Sequence, residues 1–156
     1  MRLKFIVSAC LAGVNCTYNG KNNFNPSVKT LVEKGFALPV CPEVLGGMAV
    51  PRDICELSFR INENPVVLTL KGKDVTPLMI TGANKALKLA RKYGIKYAIL
   101  KSNSPSCGYG KIYDGSFSAR LTEGDGIAAA LLHKHGIKIY NEKERASWPV
   151  KYTTPG

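Results

Sequence analysis

Apolar positions along this chain fall into two rhythms: short compact runs, and longer stretches with an apolar residue every third or fourth place. Leu3-Lys4-Phe5-Ile6-Val7 opens the chain as a strand over residues 3–8. "NPSVKTLVEKG" reads as a short helix, with Pro26 near its start and Gly35 as its stop signal. "FALPVC" is a second short strand, and "ELSFRINENPVVLTLKG" gives two extended runs about the turn residues Asn62-Glu63-Asn64-Pro65. The strongest helical pattern is "DVTPLMITGANKALKLARKYG", where Thr76 is placed to cap, Pro77 suits the first helical position and Gly94 suits a left-handed stop. Ala83, Leu87 and Ala90 share one face of it, and Lys85, Lys88 and Lys92 another. "IKYAILKS" is then a buried strand, "GDGIAAALLHKHG" a helix with Ile127, Leu131 and His135 along one side, and "IKIYNE" a closing strand. From about residue 143 the pattern fades into a tail.

Strands alternating with helices predict an α/β fold: a three-layer, Rossmann-like sandwich with a mainly parallel sheet. At 156 residues, 45% of them apolar, the chain is long enough for one domain with a full core and short for two, so residues 1–156 are expected to fold as a unit. The glycines form no dinucleotide fingerprint, because "GYGKIYDG" lacks the spacing and no helical pattern follows it directly. The net charge of +11, from 22 basic and 11 acidic residues, favours anionic partners such as a nucleotide phosphate or RNA. A secretory signal is not expected, since the apolar segment ahead of Cys10 is only Phe5-Ile6-Val7 where roughly 7–15 residues are needed. No run approaches the ~20 apolar residues of a membrane span, so no membrane partner is expected. Five cysteines, an odd number in a chain with an adequate core, suggest thiols kept reduced in the cytoplasm for metal binding or catalysis.

Three of those cysteines share a topological position. Cys10 follows "KFIVSA", Cys41 ends "FALPV", and Cys107 lies in the loop after "KYAILKS". Ligand sites in open α/β sheets lie beyond the carboxyl ends of the strands, so the three thiols should converge there. A closed zinc site wants four ligands, often from close pairs of the CxxC kind, and the chain has none. Thiolates also hold iron–sulfur clusters, usually four to a cluster. Three would leave one iron open, as a Lewis-acid catalyst needs, and soft iron suits a soft donor such as a substrate sulfur. Two other readings of the residues stand beside this one: an RNA-binding module using the lysine face, and a cluster-free thiol protein pairing Cys10 with Cys16. Arg52 in "VPRD" is a candidate to grip a phosphate or a pyrimidine carbonyl. His133 and His135, two apart on a helix, diverge and make a poor metal pair.

"VSACLAGVNCTYNG", "CPEVLGG", "VPR", "GKDVT", the "GA-x-x-AL" of the central helix, "AILKSNSPSCG", "IYDGSFS" and "HGIKIYNE" resemble, in order, the family long described as domain of unknown function 523, whose characterised members are thiouracil desulfidases. The resemblance runs from about residue 3 to 142. It implies a [4Fe–4S] cluster bound by Cys10, Cys41 and Cys107, with one iron left for the substrate sulfur. It also implies a catalytic glutamate at Glu43 in "CPE" and a catalytic serine in "SPSCG", for which Ser104 is the choice and Ser106 the alternative or a substrate contact. The implied reaction is non-redox: thiocarbonyl to carbonyl, with water deprotonated by Glu43 and hydrosulfide released. As a base near neutral pH, Glu43 should be buried or have negative charge beside it. The implied partner is a small-molecule thionucleobase or its nucleotide, with tRNA a further candidate because some relatives carry a second domain for it. Cys16 occupies a usual family position without being one of the three implied ligands, and Cys55 falls outside the motifs.

Overall fold

Successive residues of a strand face opposite sides of a sheet, and the central strands of this protein bury both sides. The computed structural model describes residues 2–58 and 64–153. In chain order its elements are β1 (Phe5–Ser8), α1 (Pro26–Glu33), β2 (Ala37–Val40), α2 (Pro42–Leu45), β3 (Cys55–Ser58), β4 (Val66–Thr69), α3 (Thr76–Lys92), β5 (Tyr97–Leu100), β6 (Lys111–Tyr113), β7 (Leu121–Glu123), α4 (Ile127–Lys134), β8 (Lys138–Asn141) and α5 (Val150–Thr153). Four strands form a parallel sheet in the order β2-β1-β5-β8. Phe5, Val7, Ile99 and Tyr140 point to one side, where Val28 and Leu31 of α1 and Trp148 cover them. Ile6, Ala98, Leu100 and Ile139 point to the other, against Leu87 and Ala90 of α3 and Ala129 and Leu132 of α4. The three-layer α/β sandwich expected from the alternation is therefore present.

The register keeps the strand ends level. Phe5 lies opposite both Ala37 and Tyr97, and Tyr97 opposite Lys138, so the four strands also finish together. Beside the sheet stand two antiparallel hairpins, β3–β4 and β6–β7. The turn expected at 62–65 falls between β3 and β4 in sequence, and residues 62 and 63 lie outside the described residues.

Four local features differ from the sequence reading. Thr76 does not cap α3; its hydroxyl accepts from the Val67 amide at 2.8 Å and ties the helix to β4, while Asp74 accepts from the Thr76 amide at 2.9 Å. The buried side of α4 is Ala128, Ala129 and Leu132, because the alanines admit close approach, and the bulkier Ile127 and Leu131 are left half-buried at its margin with His135 exposed. The β6–β7 hairpin is absent from the hydrophobic pattern because only Ile112 of its six residues is buried. The tail packs: Trp148 is 1% exposed and donates to the Asn141 carbonyl at 3.1 Å, and Tyr152 meets Phe5 edge-on.

One close approach sets the position of α2. A Cβ on Gly46 would lie 2.0 Å from the Leu78 carbonyl oxygen, and one on Gly82 would lie 1.8 Å from that of Pro42. The two backbones touch, so neither position admits a side chain. Gly82→Ala must push α2 off α3, and is expected to cost at least about 1–3 kcal/mol in urea unfolding. Lys85→Ala, on the exposed face of the same helix, should stay within about 0.5 kcal/mol of the wild type. Equal stability of the two variants would contradict this packing.

Candidate active site

The loops at the level carboxyl ends of β2, β1 and β5 carry the cysteines. Cys10 lies in a 3-10 turn, Ala9–Ala12, directly after β1, and Cys41 is the residue between β2 and α2. Pro42 at the first helical position makes the chain turn sharply at Cys41, which holds that thiol at the strand end. Cys107 is placed by a network of side-chain hydrogen bonds. Ser8 at the end of β1 accepts from the Lys101 amide at 2.8 Å, and Glu142 after β8 accepts from the Ser102 amide at 2.8 Å and its hydroxyl at 3.1 Å. Ser104 then accepts from the Cys107 amide at 2.7 Å. The carbonyls of Pro105 and Ser106 take the amides of Ile127, Ala128 and Ala129, so the loop satisfies the otherwise orphaned donors at the start of α4.

All five cysteines are free thiols, and four of them interact at this edge. Cys16, on the long loop after the 3-10 turn, interacts with both Cys10 and Cys41. Its hydrogen bonds hold Cys10 below the usual thiol range and lower Cys41 to about 6, the latter helped by the Val44 amide and the Arg52 guanidinium. Cys16 itself is pushed far up by the same hydrogen bonds and remains a thiol. Burial pushes Cys107 up to about 12, with the nearby sulfurs of Cys10 and Cys41 adding to the rise. Cys10 and Cys41, both lowered, thus stand with the raised Cys16 and the buried Cys107 at one edge of the sheet.

Glu43, in the first turn of α2, faces Arg52. The Nη2 of Arg52 donates to Glu43 Oε2 at 2.9 Å and to the Cys16 carbonyl at 2.9 Å, and Nη1 donates to the Ala49 carbonyl at 3.2 Å. Both side chains are largely buried, Arg52 at 7% and Glu43 at 15% exposure. Of the two environments expected for Glu43, burial or neighbouring negative charge, the structure supplies burial, with a guanidinium beside the carboxylate. Arg52 Nε is buried with no partner of its own, a donor aimed at nothing in the protein.

The structure brings Cys10, Cys41, Cys107, Glu43 and Arg52 to one sheet edge and places Ser104 and Ser106 in the Cys107 loop. Ser106 is 2% exposed and donates to the Cys107 sulfur at 3.6 Å; its oxygen stands 3.5 Å from that of Ser104. His133 and His135 stand apart from this edge, beside Tyr109 and Arg91 on the α3–α4 side. The sequence reading missed Ser8 and Glu142, whose signal was their place at the carboxyl ends of β1 and β8. It gives Cys16 a role only as the partner of Cys10 in the cluster-free reading, and Cys55 none.

A sequence model of the 2-thiouracil desulfurase family matches residues 5–144, nearly the whole chain. The protein belongs to that family. It is 40% identical over 144 residues to the uncharacterised protein YbbK of Bacillus subtilis (strain 168), covering 89% of this chain and 95% of the relative. Its fold is similar to that of a solved [4Fe–4S]-dependent thiouracil desulfidase, TudS, with a TM-score of 0.83 and 40% identity over 91% of this chain and 92% of that one. The donor set of this family member fits such a cluster. Its sulfurs are soft, and two of them, Cys10 and Cys41, are held below the usual thiol range. Among the described residues, no three His, Cys, Asp or Glu side chains are gathered as ligands to a single ion. Sulfurs delivered from the ends of three neighbouring strands suit a polynuclear group that takes several thiolates at once.

The lowered Cys41 has a direct consequence in iron-free protein. Its alkylation rate should rise from pH 5 to 7 with a midpoint near 6, because the reactive thiolate is lost as pH falls through that value. Mass-spectrometric mapping after brief iodoacetamide treatment checks this. A midpoint near the ~8.5 of an ordinary thiol would contradict it.

Proposed function

We propose that the protein removes sulfur from a thiouracil-type small molecule by hydrolysis, converting C=S to C=O with release of hydrosulfide and no net redox change. The observation that carries this reading is the buried Glu43–Arg52 pair set among thiols at three adjacent strand ends. Cys10, Cys41 and Cys107 would hold a [4Fe–4S] cluster, which supplies a Lewis-acidic iron with an open position for a soft sulfur donor.

The remaining steps fall to the chain's own residues. Glu43 takes a proton from water as that water attacks the thiocarbonyl carbon. The remaining hydroxyl proton passes to sulfur, the C–S bond breaks as the C=O bond forms, and sulfur carries the bonding pair away as hydrosulfide. Arg52 balances the carboxylate through Nη2, and its unpartnered Nε–H is free to orient an oxygen of the substrate. Ser104 already uses its oxygen as acceptor for the Cys107 amide, which leaves its own proton to relay toward water or substrate. Ser106 supports the Cys107 sulfur from beneath. Val14, Tyr18, Val44, Val50 and Ile54 are exposed apolar side chains on the segments carrying Cys16, Glu43 and Arg52, a suitable rim for a planar base. The Lys101 ammonium acts on Cys10 from the end of β5, and with the net charge of +11 it suits a nucleotide phosphate. A tRNA-borne base draws no support from the relatives. Five free thiols suit a reducing compartment such as the cytoplasm, and among the described residues no helix is long and apolar enough to cross a membrane.

Two variants test the division of labour. Glu43→Gln keeps the shape but removes the base, so anaerobically purified protein should be brown and its kcat lower by about 10²–10⁴-fold. Cys107→Ser should be pale, because a serine oxygen is a poor substitute for a soft thiolate. Near-full activity in Glu43→Gln with an intact cluster would remove Glu43 from the mechanism.

A further inference from the structure

Glu43 has two carboxylate oxygens, and Arg52 occupies only one. Oε2 takes the guanidinium at 2.9 Å, while Oε1 lies 3.5 Å from the sulfur of Cys55. Cys55 belongs to none of the three strands that carry the other thiols. It opens β3, in the antiparallel hairpin beside the sheet, and is buried. The hairpin is pinned from two directions. The next residue, Glu56, accepts from the Gly115 and Phe117 amides at 3.0 and 3.1 Å, and Thr76 holds β4 through the Val67 amide. The Cys55 sulfur is therefore delivered to Glu43 by a fixed element. An ionised carboxylate can only accept, so the thiol must be the donor. Burial, with the Glu43 charge adding to it, pushes Cys55 up to about 12, so the proton needed for donation is present.

We propose that Cys55 is a positioning residue for the reaction: its S–H holds Glu43 Oε1 while Arg52 holds Oε2, fixing the rotation of the carboxylate that receives the proton of water. Held by one oxygen alone, the carboxylate could turn about its last torsion, which has only broad preferences. Two donors on opposite oxygens remove that freedom without touching substrate. This rests on Glu43 serving as the base.

The test compares Cys55→Ala, Cys55→Ser and Glu43→Gln, each purified anaerobically and assayed for iron, kcat and KM with 2-thiouracil. Cys55→Ala should keep its iron and its KM within about twofold while kcat falls about tenfold, the weaker end of what a hydrogen bond to a charged group supplies. Cys55→Ser restores a donor and should recover at least half of the wild-type kcat. Cys55→Val, without a donor, replaces Cys55→Ala in the comparison if the alanine variant does not accumulate folded. A second readout needs no turnover: the infrared S–H stretch of Cys55, identified by its loss in Cys55→Ser, should lie lower in the wild type than in Glu43→Gln. Wild-type kcat in Cys55→Ala, loss of iron in both Cys55 variants, or an S–H band indifferent to Glu43→Gln overturns the proposal. If Glu43→Gln is inactive while Cys55→Ala keeps the wild-type kcat, only the role of Cys55 fails. An active Glu43→Gln overturns the base itself and the role of Cys55 with it.

Discussion

Everything at the active edge depends on the level parallel pairing of β2, β1 and β5. Parallel strands that begin together end together, so residues placed just after each strand meet although they are far apart in sequence. A shift of two residues in either ladder would carry one thiol nearly 7 Å along the strand axis, at about 3.3 Å per residue. A shift of one would turn each strand's buried set to the wrong face. Burial on both sides of the sheet therefore fixes more than stability; it fixes where the sulfurs stand. The same constraint places Ser8 and Glu142 at strand ends, from which they shape the Cys107 loop.

Around that frame the chemistry is arranged by close backbone contact and by charge. The glycine contact between α2 and α3 lets α2 start directly at the strand end, so Cys41 and Glu43 share one turn of chain. Arg52 then joins α2, the Cys16 carbonyl and its own loop through three hydrogen bonds. A guanidinium so committed acts as a structural clamp and a counter-charge together. Its Nε, buried and without a partner, is the kind of orphan that native proteins keep at sites that receive a ligand.

The fold and the gathering of thiols were legible because both follow from short-range pattern. Apolar runs such as Phe5-Ile6-Val7 and Ala98-Ile99-Leu100 mark buried parallel strands, and the topology of such sheets says where their ends lead. What was not legible depends on contacts between distant segments. Thr76 offers its hydroxyl to β4 because the hairpin happens to lie there, which no local capping rule anticipates. The side of α4 that faces inward is decided by alanines admitting close packing, against the larger residues that a hydrophobicity count favours. The link from Cys55 to Glu43 joins a separate hairpin to the sheet edge, and the Arg52 partner of Glu43 is likewise set by folding rather than spacing.

Three thiols at three strand ends would hold a four-iron cluster with one iron left for substrate sulfur. Mössbauer spectroscopy of anaerobically reconstituted, ⁵⁷Fe-enriched protein, recorded with and without 2-thiouracil, addresses it directly. About four irons per chain are expected, with the signal of a single iron site changing when thiouracil is added and the others unmoved. A different stoichiometry, or a spectrum that ignores the substrate, would rule out a three-thiolate cluster with an iron open to substrate.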